Sequence, residues 1–206
     1  MHSKFITAAL LGVLASSAAL AAGPTTKDSA DLAAFKASFR DKNEATVDRL
    51  EQSEAQRLCS QDAQRPLKPA QRKQIEQQAT ATVRYPADGN YLGDWKEGEK
   101  VAQNGRGLQS SDPKGTPAGG NCYACHKLDQ KEIAFGNIGP SLQQYGKLRG
   151  GPTPEILKYT WAKIYNSHAF QACSVMPRFG AAGILTEKQM QDVMALLLAP
   201  ESPVNQ

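Results

Sequence analysis

The sequence has little net charge and, after its first 21 residues, no long apolar run. Its 206 residues include 24 lysines and arginines against 20 aspartates and glutamates, a formal net charge of +4. A surplus this small gives no argument for a nucleic-acid partner. No later run approaches the roughly 18 apolar residues that a membrane-spanning helix needs. We therefore expect neither nucleic acid nor a membrane among the partners.

The N terminus is the one strongly apolar segment. A short basic start that ends at Lys4 is followed by the run FITAALLGVLASSAALA, which closes with small residues at Ala19 and Ala21. This pattern predicts a secretory signal peptide over residues 1–21, cleaved after Ala21. A membrane anchor is the alternative, but the run is shorter than a spanning helix. We expect an exported protein, placed in the periplasm if the source is a Gram-negative bacterium, where disulfides form.

Alternating strand patterns are also missing, and the recognisable elements are helical. Asp94 with Glu97 predicts the start of a helix over about 94–104, and Thr186 with Gln189 forms a capping box for the last helix. A further helix is expected where apolar residues recur at helical spacing, at Ile156, Leu157, Thr160, Trp161 and Ile164. Residues 105–120 are too rich in glycine and proline for regular structure. The predicted fold class is all-α.

Cysteine and histidine are scarce, with four and three residues. Cys122, Cys125 and His126 have the C-x-x-C-H spacing of covalent c-type haem attachment. Two thiols at i and i+3 can bond two vinyl groups of one porphyrin, while the adjacent imidazole binds the iron. A thioredoxin-like pair would need a β-α-β pattern, and a zinc site would need a second ligand pair; the sequence offers neither. One covalent haem c is predicted.

A six-coordinate haem iron needs a second axial ligand. Met190 and Met194 lie on the apolar face of the last predicted helix, which favours a place in the core. Met176 precedes a proline and lies in a predicted loop, from which a thioether can reach iron. We predict Met176 as the distal ligand, which raises the reduction potential relative to two histidines. His168, otherwise expected at the surface or rim, is the alternative ligand.

Several motifs in residues 90–206 resemble those of class I cytochromes c, and specifically the SoxX family. These are GNCYACH, GNIGPSLQQYG, MPRFG and the ending GILTEKQMQDVMALLLAPESPVN. The resemblance implies a class I cytochrome c fold over residues 89–206, with His126 and Met176 as axial ligands. The Pro140 carbonyl of the GPSL turn is expected to accept a hydrogen bond from the His126 imidazole.

The resemblance also implies a place in sulfur oxidation. SoxX is the monohaem subunit of the SoxAX complex, an L-cysteine S-thiosulfotransferase. Its SoxA partner carries the haem at which thiosulfate is joined to a cysteine of the SoxYZ carrier. This chain would then accept electrons and pass them to a soluble cytochrome c, and none of its own residues would be catalytic. The alternatives are a free-standing electron carrier and, less compatible with Met176, a peroxidase with an open iron position.

Residues 22–88 are expected to form a helical N-terminal extension with narrow apolar stripes. It either packs on its own domain or serves as a partner-binding arm. Cys59 in this extension and Cys173 near Met176 are the thiols left after haem attachment. In an oxidising compartment we predict a disulfide between them, which would restrict Met176. A mixed disulfide with a partner and a thiolate ligand at Cys173 stay open as alternatives.

An electron-transfer haem must come close to its redox partner. The porphyrin edge near Cys122 and Cys125 is expected to be the exposed one. We therefore predict a partner contact around residues 105–120 and Tyr123.

Overall fold

The computed structural model describes residues 26–62 and 64–206, and the regular structure in these ranges is helical. The α-helices are α1 (Thr26–Ala37), α2 (Glu54–Asp62), α3 (Pro69–Thr82), α4 (Trp95–Gln103), α5 (Tyr145–Leu148), α6 (Pro154–Tyr165) and α7 (Glu187–Leu198). Short 3₁₀ turns occur at Val47–Leu50, Cys122–Ala124, Ser167–Ala169 and Pro203–Asn205. The predicted all-α class is confirmed. The predicted signal peptide, residues 1–21, lies outside the described residues.

The chain divides into two compact units, one ending at Phe39 and the other spanning residues 40–206. The described part of the first unit holds α1. The ring of Phe35 on this helix meets the ring of Phe39, two residues after the helix ends, edge to face at a centroid distance of 4.9 Å. Residues 40–88 of the predicted extension lie in the same compact unit as residues 89–206. The domain boundary at residue 88 therefore stays a prediction.

The crossing of α4 over α7 forms the centre of the second unit. As predicted, α7 buries one apolar face, on which Met190, Val193 and Met194 are each less than 5% exposed. Gly98 of α4 lies directly on the α7 backbone, since a Cβ placed there would be 2.1 Å from the carbonyl oxygen of Asp192. The absence of a side chain at Gly98 thus permits this close approach.

Asp192 also fixes the start of α4. Its carboxylate is buried and accepts a hydrogen bond from the backbone N–H of Asp94 at 2.8 Å. Lys188, one helical turn earlier on α7, donates to the same carboxylate oxygen. The side chain of Asp94 in turn accepts from the N–H of Lys96, as the predicted helix start requires.

Helix α6 packs on the same core through Trp161, which is fully buried. Its indole N–H donates to the carbonyl of Arg84 at 2.7 Å, and Tyr91 meets its ring edge to face at 5.7 Å. The segment that joins α3 to α4 is thereby held on α6. Ile75 and Ala79 of α3 are buried as well. Ile75 packs in one cluster with Ala172, so α3 lies on the remainder of its own unit.

None of the helices within the described residues has the length and apolar character to cross a membrane.

Gly98→Ala tests the helix crossing. The added methyl group would meet backbone atoms of α7 that cannot rotate away, so the helices must separate. Overpacking of this kind costs about 1–3 kcal/mol, a loss that the higher helix propensity of alanine only partly offsets. Denaturant unfolding should show the loss of stability, whereas Gln103→Ala, an exposed change on the same helix, should have little effect. Equal stability of the wild type and Gly98→Ala would contradict the packing described.

Candidate haem-binding site

The C-x-x-C-H segment folds as a tight turn between two anchored ends. The N–H groups of Cys125 and His126 both donate to the carbonyl of Cys122, at 3.1 and 2.9 Å. Before the turn, the N–H of Gly120 donates to the carbonyl of Val101 at 2.8 Å, so the end of α4 sets its position. The sequence therefore places two thiols and an imidazole on one turn.

Both cysteines of the turn are free thiols, and each is partly exposed. Burial raises the pKa of Cys122 to about 12. A thiol with this pKa stays protonated at neutral pH, so Cys122 is not the readily formed thiolate on which a redox-active C-x-x-C pair depends.

The imidazole of His126 is held in one orientation. Its Nδ1 lies 2.7 Å from the carbonyl oxygen of Pro140, and because a carbonyl can only accept, Nδ1 carries the proton. The Nε2 lone pair is then available for a metal. The predicted hydrogen bond to Pro140 is confirmed.

Gly139 completes the proximal side of the site. A Cβ at Gly139 would lie 2.2 Å from a carbon of the His126 ring, so only glycine permits this contact. The N–H of Gly139 also donates to the carbonyl of Cys125 at 2.8 Å. With two free thiols and a free Nε2 on one turn, the residues present fit a c-type haem, held covalently by Cys122 and Cys125 and coordinated by His126.

Met176 lies in an irregular loop and is partly buried against the main core cluster. Its carbonyl accepts a hydrogen bond from the Ser167 hydroxyl at 2.6 Å, and its N–H donates to the Ser174 hydroxyl at 3.3 Å. These two hydrogen bonds fix the backbone of Met176. Within the described residues, its thioether has no covalent or hydrogen-bonded partner. Its role as distal ligand stays a prediction.

The alternatives to Met176 are less suitable. Met190 and Met194 lie in the core, as predicted, at 3% and 0% exposure. His168 is buried, so the expectation of a surface or rim histidine is wrong. Its Nε2–H donates to the carbonyl of Ser174 at 3.1 Å, so Nδ1 is the only ring nitrogen left with a lone pair for a metal.

Cys59 and Cys173 form a disulfide with a Cα–Cα distance of 5.3 Å. This confirms the predicted pairing and argues against a mixed disulfide and against a thiolate ligand at Cys173. The bridge links residues 114 positions apart. In the chain-entropy model a loop of this length contributes about 4–5 kcal/mol to stability.

Two features near the site were not predicted. Tyr123 is 6% exposed, so its side chain offers little surface to a partner, and the partner contact around residues 105–120 and Tyr123 stays a prediction. Asp112 is also buried, and its carboxylate accepts from the N–H groups of Gly107 and Gln109 at 2.7 and 2.9 Å. The hydrogen bond from Gln109, with support from Arg106, keeps the pKa of Asp112 below its usual range. The irregular segment 105–120 is therefore organised around one carboxylate.

Comparison with known proteins agrees with this site. Residues 95–199 match the family model of cytochrome c, a range that includes the C-x-x-C-H turn and Met176. The chain is also 41% identical, over 155 residues, to an uncharacterized lipoprotein of Aquifex aeolicus (strain VF5). That alignment covers 75% of this chain and 73% of the relative.

Serine substitutions at Cys122 and Cys125 test the covalent anchors. Each single variant should retain one bond to the porphyrin, and the double variant should retain none, because a hydroxyl does not form the thioether. Denaturing electrophoresis with haem staining measures this directly. Cys59→Ser serves as the control and should keep the stain, whereas a stained band in the double variant would contradict the assignment.

The surroundings of His168 should make the stability of the protein depend on pH. Burial, with smaller contributions from the charges of Arg178 and Lys163, lowers the pKa of His168, although its hydrogen bond to Ser174 opposes the shift. The unfolded chain then binds a proton more readily than the folded one. The contribution of His168 to the free energy of unfolding should be fully present above about pH 6.5. It should be lost as the pH falls through the pKa of His168 in the folded protein.

His168→Gln is the matching variant, since a glutamine amide can still donate to the Ser174 carbonyl. Denaturant unfolding across this pH range should show a shallower decline for the variant than for the wild type. Identical declines would show that His168 does not titrate between the two states.

Proposed function

Because this chain belongs to the cytochrome c family, we propose that it is the electron-accepting, monohaem subunit of a thiosulfate-oxidising complex. Family membership makes it a haem-binding electron-transfer protein with an all-α class I cytochrome c fold. The finer assignment is supported by the order of GNIGPSL, MPRFG and the SPVN ending, which resembles SoxX. The observation that carries the proposal is the site itself, in which His126 is oriented for a metal and Met176 is the candidate opposite ligand.

In this proposal the bound haem supplies reversible one-electron chemistry at iron. Cys122 and Cys125 hold the porphyrin, and the Pro140 carbonyl holds the His126 tautomer that leaves Nε2 free. Met176 would close the remaining axial position and favour the reduced iron, which suits an electron acceptor. None of these residues transfers a proton or bonds to a sulfur substrate.

The sulfur chemistry would take place on a partner. A SoxA-type subunit would carry the haem at which thiosulfate is joined to a carrier cysteine of a SoxYZ-type protein, with release of two electrons and one proton. This chain would accept the electrons one at a time and pass them to a soluble cytochrome c. The complex would act as an L-cysteine S-thiosulfotransferase in which this chain is the redox subunit.

The periplasm is the compartment that we propose. The apolar N-terminal segment has the pattern of an export signal, and disulfides such as Cys59–Cys173 form and persist in oxidising compartments.

The surface beside the haem turn suits a protein partner. Ile133 is 93% exposed, which is unusual for isoleucine. Its loop is tied to the turn because Gly136 donates to the carbonyl of Tyr123 and Gly139 to that of Cys125, both at 2.8 Å. A redox partner that covers this loop would therefore come close to the thioether edge of the porphyrin.

Purification from the organism that makes the protein tests the proposal. We expect a second haem-bearing subunit to co-elute, and thiosulfate with the carrier protein to reduce the haem of the complex. Ile133→Ser should weaken the association several-fold. Leu148→Ser, at another exposed aliphatic residue on α5, should leave it unchanged. A haem protein that elutes alone and is not reduced under these conditions would instead be a free-standing electron carrier.

A further inference from the structure

We propose that α2 and α3 position Met176, and that Cys59 and Glu76 on these helices are positioning residues for the distal ligand. The inference rests on the proposed role of Met176 as an axial ligand of an electron-transfer haem. We call residues 171–178, which contain Met176, the distal loop. Three sets of contacts connect this loop with α2 and α3.

The first contact is covalent. Cys59 lies on α2 and Cys173 lies three residues before Met176, so the disulfide ties the distal loop to that helix. Cys173 has a backbone φ of +63°, in the left-handed region that residues other than glycine seldom adopt. A conformation of this kind persists only where the surrounding structure holds it. The disulfide supplies one such restraint.

The second contact comes from Glu76 of α3. Its carboxylate accepts a hydrogen bond from the backbone N–H of Ala172 at 3.1 Å. Ala172 is buried and packs in a small apolar cluster with Ile75 and Leu67. Without Glu76 the N–H of Ala172 would be left in this apolar surrounding with no acceptor, which is costly. The start of the distal loop therefore depends on the Glu76 carboxylate.

The third contact runs through the 3₁₀ turn Ser167–Ala169. The side-chain amide of Asn166 donates to the Thr82 hydroxyl at the end of α3, at 2.9 Å, and its oxygen accepts from the N–H of His168. Ser167, fully buried, then donates to the carbonyl of Met176 at 2.6 Å. Two hydrogen bonds, joined by the backbone between Asn166 and Ser167, thus connect the end of α3 with the backbone of Met176.

These restraints come from outside the part of the chain that matches the cytochrome c family, which begins at residue 95. The extension therefore adds a support for the distal ligand that the matched segment does not contain. A thioether held in this way leaves iron less readily and keeps the sixth position closed to small ligands. Sulfur anions bind metals, so in the proposed complex a closed sixth position would keep them from binding the iron.

Competition by imidazole for the ferric haem tests the inference on the haem-loaded full chain. Loss of the near-infrared charge-transfer band of methionine ligation reports the exchange. Glu76→Ala should raise the apparent affinity for imidazole about fivefold, the equivalent of one ordinary hydrogen bond. Glu76→Gln should restore wild-type behaviour because its amide oxygen still accepts from Ala172. Gln77→Ala, an exposed change one residue along α3, should have no effect.

The disulfide is tested in the same way. Cys59→Ser with Cys173→Ser should raise the affinity for imidazole by roughly tenfold or more, and the midpoint potential should fall as methionine ligation weakens. If this variant does not fold, the comparison of Glu76→Ala with Glu76→Gln still tests the inference. Unchanged imidazole affinity in Glu76→Ala, in a protein whose wild type shows methionine ligation, would overturn the inference and leave the proposed function intact. A wild type without methionine ligation would overturn the ligand assignment and this inference with it.

Discussion

The hydrogen bond from His126 Nδ1 to the Pro140 carbonyl is the interaction on which the site depends. It fixes the imidazole tautomer and so leaves Nε2 for iron. The bond can form only because Gly139 has no side chain to displace the ring, and because the end of α4 anchors the turn that carries His126. The position of α4 depends in turn on Gly98 and Asp192 at the crossing with α7. The core packing and the chemistry of the site are thus parts of one arrangement.

The two sides of the site are supported by different parts of the chain. The proximal side is built from α4, the haem turn and the loop that ends at Pro140, all within the segment that matches the cytochrome c family. The distal loop is held in addition from α2 and α3, through the disulfide and Glu76. Residues 54–82 therefore support the distal loop, a role that does not depend on their binding a partner.

Much of the site could be predicted because its signals are local. The haem turn, the capping box at Thr186 and the buried face of α7 follow from spacings of three and four residues, which determine helix geometry directly. The disulfide could be predicted because two thiols remained in an expected oxidising compartment. The buried state of Tyr123, His168 and Asp112 could not, because it results from segments that are distant along the chain. Asp112 in particular sits among glycine, serine and proline, where an aspartate usually lies in a solvated turn.

The central claim is that one haem is bonded to the turn at Cys122 and Cys125 and coordinated by His126 and Met176. Near-infrared magnetic circular dichroism of the oxidised haem protein tests it most directly, because the charge-transfer band reports both axial ligands. We predict the band of histidine–methionine ligation, with its loss on substitution of Met176 and its retention on substitution of His168. A band of two nitrogen ligands, or a high-spin five-coordinate spectrum, would contradict the account.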